Sequence, residues 1–206
     1  MDELSKEYVI SFFEKTLAMH GDRPESVGWN ARGQPLHYEA LLDIGNIEGA
    51  KILDFGCGRG DFYRFLKDRN ISVDYTGLDI NERMISLARE KFPECRFGVL
   101  DSEKNELTEE FDYIFLCGVF NLKVQGLDET IKETIERLFR RTRIALAFNA
   151  LSAHNPRKDC ALHYIFPEEI FQFAVKNLSP TVSLRHDRMA YDFVIFVYRE
   201  INGFSV

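Results

Sequence analysis

Asp54, the glycines at 56, 58 and 60, and Asp79 are the residues of this 206-residue chain whose types and spacing point most directly to chemistry. They stand in Lys-Ile-Leu-Asp-Phe-Gly-Cys-Gly-Arg-Gly-Asp, residues 51–61, and in Gly-Leu-Asp, residues 77–79. Glycines at every second position let a backbone turn sharply and pass close to a ligand. A carboxylate about 20 residues further on offers two acceptor oxygens, which suits the paired hydroxyls of a ribose. Together these residues describe a nucleoside site, with Cys57 as a small filler of the turn rather than a nucleophile.

The flanking residues predict the elements that hold this site. Ile52, Leu53 and Phe55 form a short apolar run that suits a strand buried on both faces. Asp61 opens a helical stretch with Phe62, Phe65 and Leu66 on one face. Val73, Tyr75, Gly77 and Leu78 read as a second strand ending at Asp79. Along the rest of the chain, strands are expected at 95–100, 111–117, 143–149, 181–187 and 192–199, and helices at 82–91, 127–141 and 167–177. The last two strands are separated by few residues and should pair antiparallel. Before the first strand, Leu4 to Met19 reads as a helix with Tyr8, Val9, Phe12, Phe13 and Leu17 on one side. A loop at 21–34 holds the only tryptophan, and Leu36 to Ile44 reads as a second short helix. The expected fold is α/β: a Rossmann-like, doubly wound, seven-stranded sheet with an antiparallel final hairpin and an N-terminal helical lid. A chain of this length suits one domain, with 1–47 as the lid segment, 48–199 as the α/β core and 200–206 as a tail.

Charge separates the candidate cofactors. A dinucleotide brings a doubly charged pyrophosphate to the turn, and Asp54 and Asp61 would set two negative charges beside it. S-adenosylmethionine brings a cationic ammonium and sulfonium with a single carboxylate. Asp54 suits the ammonium, and the glycine amides suit the carboxylate. The glycine order also departs from Gly-x-Gly-x-x-Gly, because Asp61 holds the sixth place.

With these residues in view, Asp-Phe-Gly-Cys-Gly-Arg-Gly at 54–60 resembles the glycine motif of class I S-adenosylmethionine-dependent methyltransferases, and Gly-Leu-Asp at 77–79 resembles their ribose-binding motif. Asn-Glu-Arg-Met-Ile at 81–85 is similar to the following helix start, which implies that Met84 lies against the adenine. Gly-Val-Leu-Asp at 98–101 is similar to the end of the third strand, which implies that Asp101 meets the adenine amino group. Phe111 to Phe120 resembles the fourth strand and its exit to the active site. The resemblance spans about residues 48–199. It implies cofactor contacts from Asp54, Gly56, Cys57, Gly58, Gly60, Asp79, Ile80, Met84, Asp101, Ser102 and Cys117.

The acceptor side is less marked. Ligands of open α/β sheets bind beyond the C-terminal strand ends, so Phe120, Asn121 and Asn149 are expected at the pocket rim, the two asparagines either orienting an acceptor or satisfying strand-end amides. Trp29 is either a packing anchor of its loop or a wall facing the cationic donor. Arg32 is either a ligand for an acidic acceptor or a solvated cation. Transfer from an activated sulfonium rests largely on in-line positioning, and a base is needed only where the acceptor must lose a proton. Histidine is the expected base near neutral pH. His186 ends a strand on the ligand side and is the candidate, equally readable as a hairpin residue bonded to backbone. His154 and His163 read as loop residues, and His20 and His37 as helix-end residues.

The formal net charge of −7 argues against a broad nucleic-acid surface. Arg137, Arg140, Arg141 and Arg143 read as cations favourable at a helix C-terminus. The four cysteines are dispersed, so neither a metal site nor a disulfide framework is expected. The acidic N-terminus has no signal-peptide pattern, and no apolar run approaches a membrane span. These features fit a reducing cytoplasm. Residues 117–122, Cys-Gly-Val-Phe-Asn-Leu, lack the Asn/Asp-Pro-Pro-Tyr of amide and base-nitrogen methylases, and no Pro-Cys pair matches the cytosine C5 enzymes. The leading expectation is methyl transfer to a small molecule by a monomer or homodimer. The alternatives are a non-catalytic S-adenosylmethionine or S-adenosylhomocysteine sensor, other chemistry with the same cofactor, and a protein or RNA methylase. An NAD-dependent oxidoreductase comes last.

Overall fold

The computed structural model describes residues 1–101 and 107–199. Seven strands form one sheet: β1 (Lys51–Phe55), β2 (Asp74–Asp79), β3 (Arg96–Val99), β4 (Phe111–Leu116), β5 (Thr142–Leu151), β6 (Val182–Met189) and β7 (Asp192–Tyr198). Their order is β3-β2-β1-β4-β5-β7-β6. The first five run parallel, and β7 enters antiparallel between β5 and β6. This is the doubly wound sheet with a final antiparallel hairpin that the strand and helix alternation predicts.

Alternation along each central strand divides the core. On β4, Tyr113 and Phe115 face one side, and Ile114 and Leu116 the other. On β5 the first side receives Ala145 and Ala147, and the second Leu146 and Phe148. The small side accommodates α2 (Gly33–Leu41) and α3 (Asp61–Asp68), with α4 (Glu82–Lys91) further along the same face. Their Leu41, Phe62, Phe65 and Ile85 are all buried there. The other face takes α5 (Leu127–Arg140) and α6 (Pro167–Asn177), through Ile131, Ile135, Leu138 and Ile170. Burying side chains of this size contributes about 1.5–3 kcal/mol each before entropy is counted.

The N-terminal segment forms a helix, a loop and a second helix. α1 (Glu3–His20) starts at Asp2, whose Oδ1 accepts the Ser5 N–H at 2.8 Å. The expected loop at 21–34 contains a single 3-10 turn at Pro24–Val27 and the first residues of α2. Thr16 Oγ1 donates to the Ser26 carbonyl at 2.6 Å and closes this loop onto α1.

Candidate functional site

The chain leaves β1, turns through the glycines into α3, builds β2 and β3 on one side of β1, and crosses to its other side at β4. The tips of β1 and β4 therefore flank a crevice, the place where open α/β sheets hold ligands. A cavity lies here. Its floor is Gly56, Cys57 and Gly58; Asp79, Ile80, Met84, Leu100 and Asp101 line it toward β2 and β3. Cys117, Gly118, Val119 and Phe120 line it from the β4 exit. Val9, Ile10 and Phe13 of α1, together with Trp29, form the outer wall.

Backbone geometry sets the floor. Gly56 has φ +78°, and a Cβ there would come within 2.5 Å of Val119 Cγ2, so only glycine admits this close passage of β4's exit. The N–H groups of Gly56 and Cys57 donate to the Leu78 carbonyl at 2.7 and 3.1 Å. Asp79 is fixed from both sides. Its Oδ2 accepts the Gly58 N–H and its Oδ1 the Asn81 N–H, each at 2.8 Å. Burial raises its carboxyl above the usual range, opposed by these backbone donors. Asn81 caps α4, accepting from the N–H groups of Arg83 and Met84 at 3.0 and 3.1 Å. That cap orients the helix so that Met84, 2 % exposed, faces the cavity.

Several expected residues lie elsewhere. Asp54 does not line the cavity. It points beneath the turn and accepts a hydrogen bond from the Tyr75 hydroxyl. Burial pushes its carboxyl up to about 7, and the Tyr75 bond opposes that rise. Gly60 is also off the wall; it precedes α3 with φ +76°, packed against Phe92 and Phe97. Arg32 is exposed at the start of α2. Asn149 sits behind the wall, where its Oδ1 accepts the Gly118 N–H at 2.7 Å. Asn121 is likewise off the wall, its carbonyl accepting the His163 N–H. Ser102 falls outside the described residues.

The histidines change most. His186 is exposed on β6 and does not line the cavity, because the hairpin carries it past the sheet edge rather than over the β1–β4 crevice. His154 pairs with Glu168 at 3.0 Å, and His163 lies 3.1 Å from Asp128. His37 is buried within α2 instead of ending it. Its Nδ1 lies 3.0 Å from Asn149 Nδ2 and its Nε2 3.4 Å from Asp192 Oδ2, and its ring centroid is 4.1 Å from that of Trp29. Burial lowers His37 to about 4 and raises Asp192 to about 6. Trp29 is thereby both packing anchor and wall: the indole also covers Gly118, where a Cβ would meet Cζ2 at 2.6 Å. Among the described residues, no histidine lines the cavity.

Lys6, Gln34, Tyr38 and Arg59 are among the lining residues not singled out from sequence. Lys6 pairs with Asp101 at 3.0 Å. Arg59, 1 % exposed, pairs with Asp22 at 2.7 Å and with Asp61, and Lys91 pairs with Asp22 at 2.8 Å. The charge at Asp61 is thus compensated within the protein. The sequence signal for Arg59 was a cation set inside the glycine turn. Gln34 and Tyr38 carry only their helical spacing.

Comparison with known proteins agrees with this geometry. Residues 52–142 match the family model described as a methyltransferase domain. A protein of Mycobacterium tuberculosis named as a methyltransferase is 30% identical over 152 residues, 71% of this chain and 91% of the relative. The malonyl-[acyl-carrier protein] O-methyltransferase of Acetivibrio thermocellus is 30% identical over 131 residues, 61% of this chain but 46% of that protein's length. Among solved structures, magnesium protoporphyrin IX methyltransferase from Synechocystis, crystallised with bound S-adenosylhomocysteine, aligns with a TM-score of 0.68 at 17% identity. That alignment covers 95% of this chain and 100% of the other.

Proposed function

The chain belongs to the class I S-adenosylmethionine-dependent methyltransferases, and from that premise we propose that it methylates a small-molecule acceptor held between the β4 exit and the N-terminal segment. The observation that carries the acceptor size is the outer wall: Val9, Ile10, Phe13 and Trp29 of the chain itself cover the cavity, leaving the reacting end little open surface for a macromolecule.

The residues present suit the donor. Asp79 presents two oxygens, each with a lone pair left beside its backbone bond, for a ribose diol. Ile80, Met84 and Leu100 offer apolar surface to an adenine, and Asp101 closes that end. When bound, S-adenosylmethionine supplies an electrophilic methyl on a cationic sulfur. Gly118, Val119 and Phe120, held by the Asn149 contact, then form the surface over which the acceptor approaches. Trp29, on the cavity wall, would shield that approach from water and offer its ring to a cationic sulfur.

No histidine is available on the described wall to take a proton. Burial raises Cys57, Cys117 and Tyr38 above their usual values, so they remain protonated near neutral pH. The acceptor we infer therefore arrives with its nucleophilic lone pair already free. We further propose a single methyltransferase domain, monomeric or dimeric, acting in the cytoplasm without a nucleic-acid partner. In support, the described helices include none long and apolar enough to cross a membrane, and Arg137, Arg140 and Arg143 are engaged with Glu133, Glu136 and Glu110.

Incubating the protein with methyl-labelled donor and fractionated small metabolites tests the acceptor class. Label should enter a low-molecular-weight fraction. Transfer only to protein or RNA, or donor binding with no transfer in any fraction, would overturn the small-molecule reading.

A further inference from the structure

His37 is buried behind the cavity wall, and its two ring nitrogens face different strands. Nδ1 lies 3.0 Å from Asn149 Nδ2 on β5, and Nε2 lies 3.4 Å from Asp192 Oδ2 on β7. Asn149, itself buried, accepts the Gly118 N–H through Oδ1 at 2.7 Å, two residues beyond the end of β4. One line of polar groups thus runs from Asp192 through the imidazole to the backbone over which the acceptor is proposed to approach.

The direction of each bond follows from what the groups can donate. A backbone N–H cannot accept, so the Asn149 oxygen is the atom turned toward Gly118. Its NH2 group then faces His37, and it too can only donate. Nδ1 must accept, so the neutral ring carries its proton on Nε2, on the side of Asp192. Burial lowers the ring to about 4 and keeps it neutral near neutral pH. A proton on Nδ1 would set two donors against each other at 3.0 Å. Flipping the amide to relieve that clash would set its NH2 against the Gly118 N–H instead. Only the Nε2–H tautomer satisfies both ends of Asn149. The face of the same ring holds Trp29, with centroids 4.1 Å apart. The indole lines the cavity and presses on Gly118, where a Cβ would meet Cζ2 at 2.6 Å. A hydrogen-bonded path and a packing path from one imidazole therefore meet at Gly118.

We propose that His37 is a positioning residue for methyl transfer: its Nε2–H tautomer holds Asn149 and Trp29, and through them sets where Gly118 to Phe120 present the acceptor to the methyl group. This rests on the methyl-transfer reading above. His37 stands behind the wall and touches neither ligand, so its effect falls on the transfer step and not on donor binding. In-line transfer is sensitive to such placement, since a displacement of about 1 Å can cost about a hundredfold in rate. The residue lies on α2, outside residues 52–142 that the family model matches.

Two substitutions separate positioning from packing. Asparagine at 37 places a side-chain oxygen near the position of Nδ1 and keeps an acceptor for Asn149, whereas leucine fills more of the space and accepts nothing. With labelled S-adenosylmethionine saturating, His37→Leu should slow labelling of the small-metabolite fraction about tenfold or more, while calorimetric affinity for S-adenosylhomocysteine changes by less than about twofold. His37→Asn should return the rate to within about threefold of the unaltered protein. A packing role predicts the reverse order, with leucine the better substitute; that order, or equal rates in all three proteins, would overturn the proposal. A second readout needs no variant and stands if either one fails to fold. In nitrogen-15 NMR of the unaltered protein, the imidazole with cross-peaks to Trp29, the sole tryptophan, should show an unprotonated Nδ1 and a protonated Nε2. The opposite tautomer would overturn the proposal. Failure of the unaltered protein to label any fraction would instead overturn the methyl-transfer reading on which it rests.

Discussion

Asp79 and Asp54 show what a side chain's type and place can and cannot reveal. Asp79 was legible because it ends a strand, where the chain must turn and the carboxylate must project beyond the sheet. Its oxygens are held by Gly58 and Asn81 at 2.8 Å, so its orientation is set before any ligand arrives. Replacing Asp79 with alanine should weaken S-adenosylhomocysteine by more than about 1 kcal/mol, the scale of hydrogen bonds to a charged acceptor. An unchanged dissociation constant in calorimetry would mean that Asp79 is not the ribose ligand. Asp54 lies off the cavity wall, because the motif supplies an acid but not the direction of its side chain. Strand alternation and the reach of Tyr75 turn it under the floor. Tyr38 and Gln34 were illegible for a different reason: no local spacing joins them to the glycine turn, and only packing of α2 brings them there.

At the scale of elements, α1 is the part whose role depends most on long-range contacts. Its apolar residues predicted a helix, and the observed span of Glu3–His20 agrees. The expected lid segment does cover the cavity, through Val9, Ile10 and Phe13, whereas the contacts that hold it there were not visible in the sequence. The helix is tied toward both ends of the site. Lys6, 5% exposed, pairs with Asp101, and Asn81 Nδ2 donates to the Ile10 carbonyl at 3.3 Å. Beyond its C-terminus, Asp22 engages Arg59 and Lys91. If α1 acts as a lid, cofactor exchange requires it to lift. Lys6→Met should raise the dissociation rate of S-adenosylhomocysteine several-fold, followed by stopped-flow fluorescence of Trp29, the sole tryptophan. A rate equal to that of the unaltered protein would make α1 a fixed wall rather than a lid.

For the whole molecule, the sheet was the most legible feature. Strand and helix alternation predicted the parallel core, and the few residues between 187 and 192 predicted the final hairpin, which the structure turns between Met189 and Asp192. The balance of buried charge was not legible, and it makes stability depend on pH. Asp54 rises from its ordinary 3.8 to about 7 in the fold. Between those values the folded chain holds a proton that the unfolded chain has lost, so this group's contribution falls as pH rises. Asp192, raised to about 6, acts in the same direction. His37, lowered from 6.5 to about 4, acts oppositely: the unfolded chain binds the extra proton, and stability grows with pH across that window. Asp54→Asn keeps an acceptor for Tyr75 and removes the titration. Its unfolding free energy relative to the unaltered protein, read from denaturant titrations, should therefore rise between about pH 5 and about pH 8, by an amount on the order of 1 kcal/mol or more. A difference that does not vary with pH would mean that Asp54 is not the group holding the proton.

The central claim is that the β1–β4 crevice takes a methyl-donor nucleoside and not a dinucleotide, and calorimetric titration of the unaltered protein tests it most directly. S-adenosylhomocysteine should bind one to one in the micromolar range, with no comparable heat from NAD. Tight binding of NAD, with none of S-adenosylhomocysteine, would contradict it.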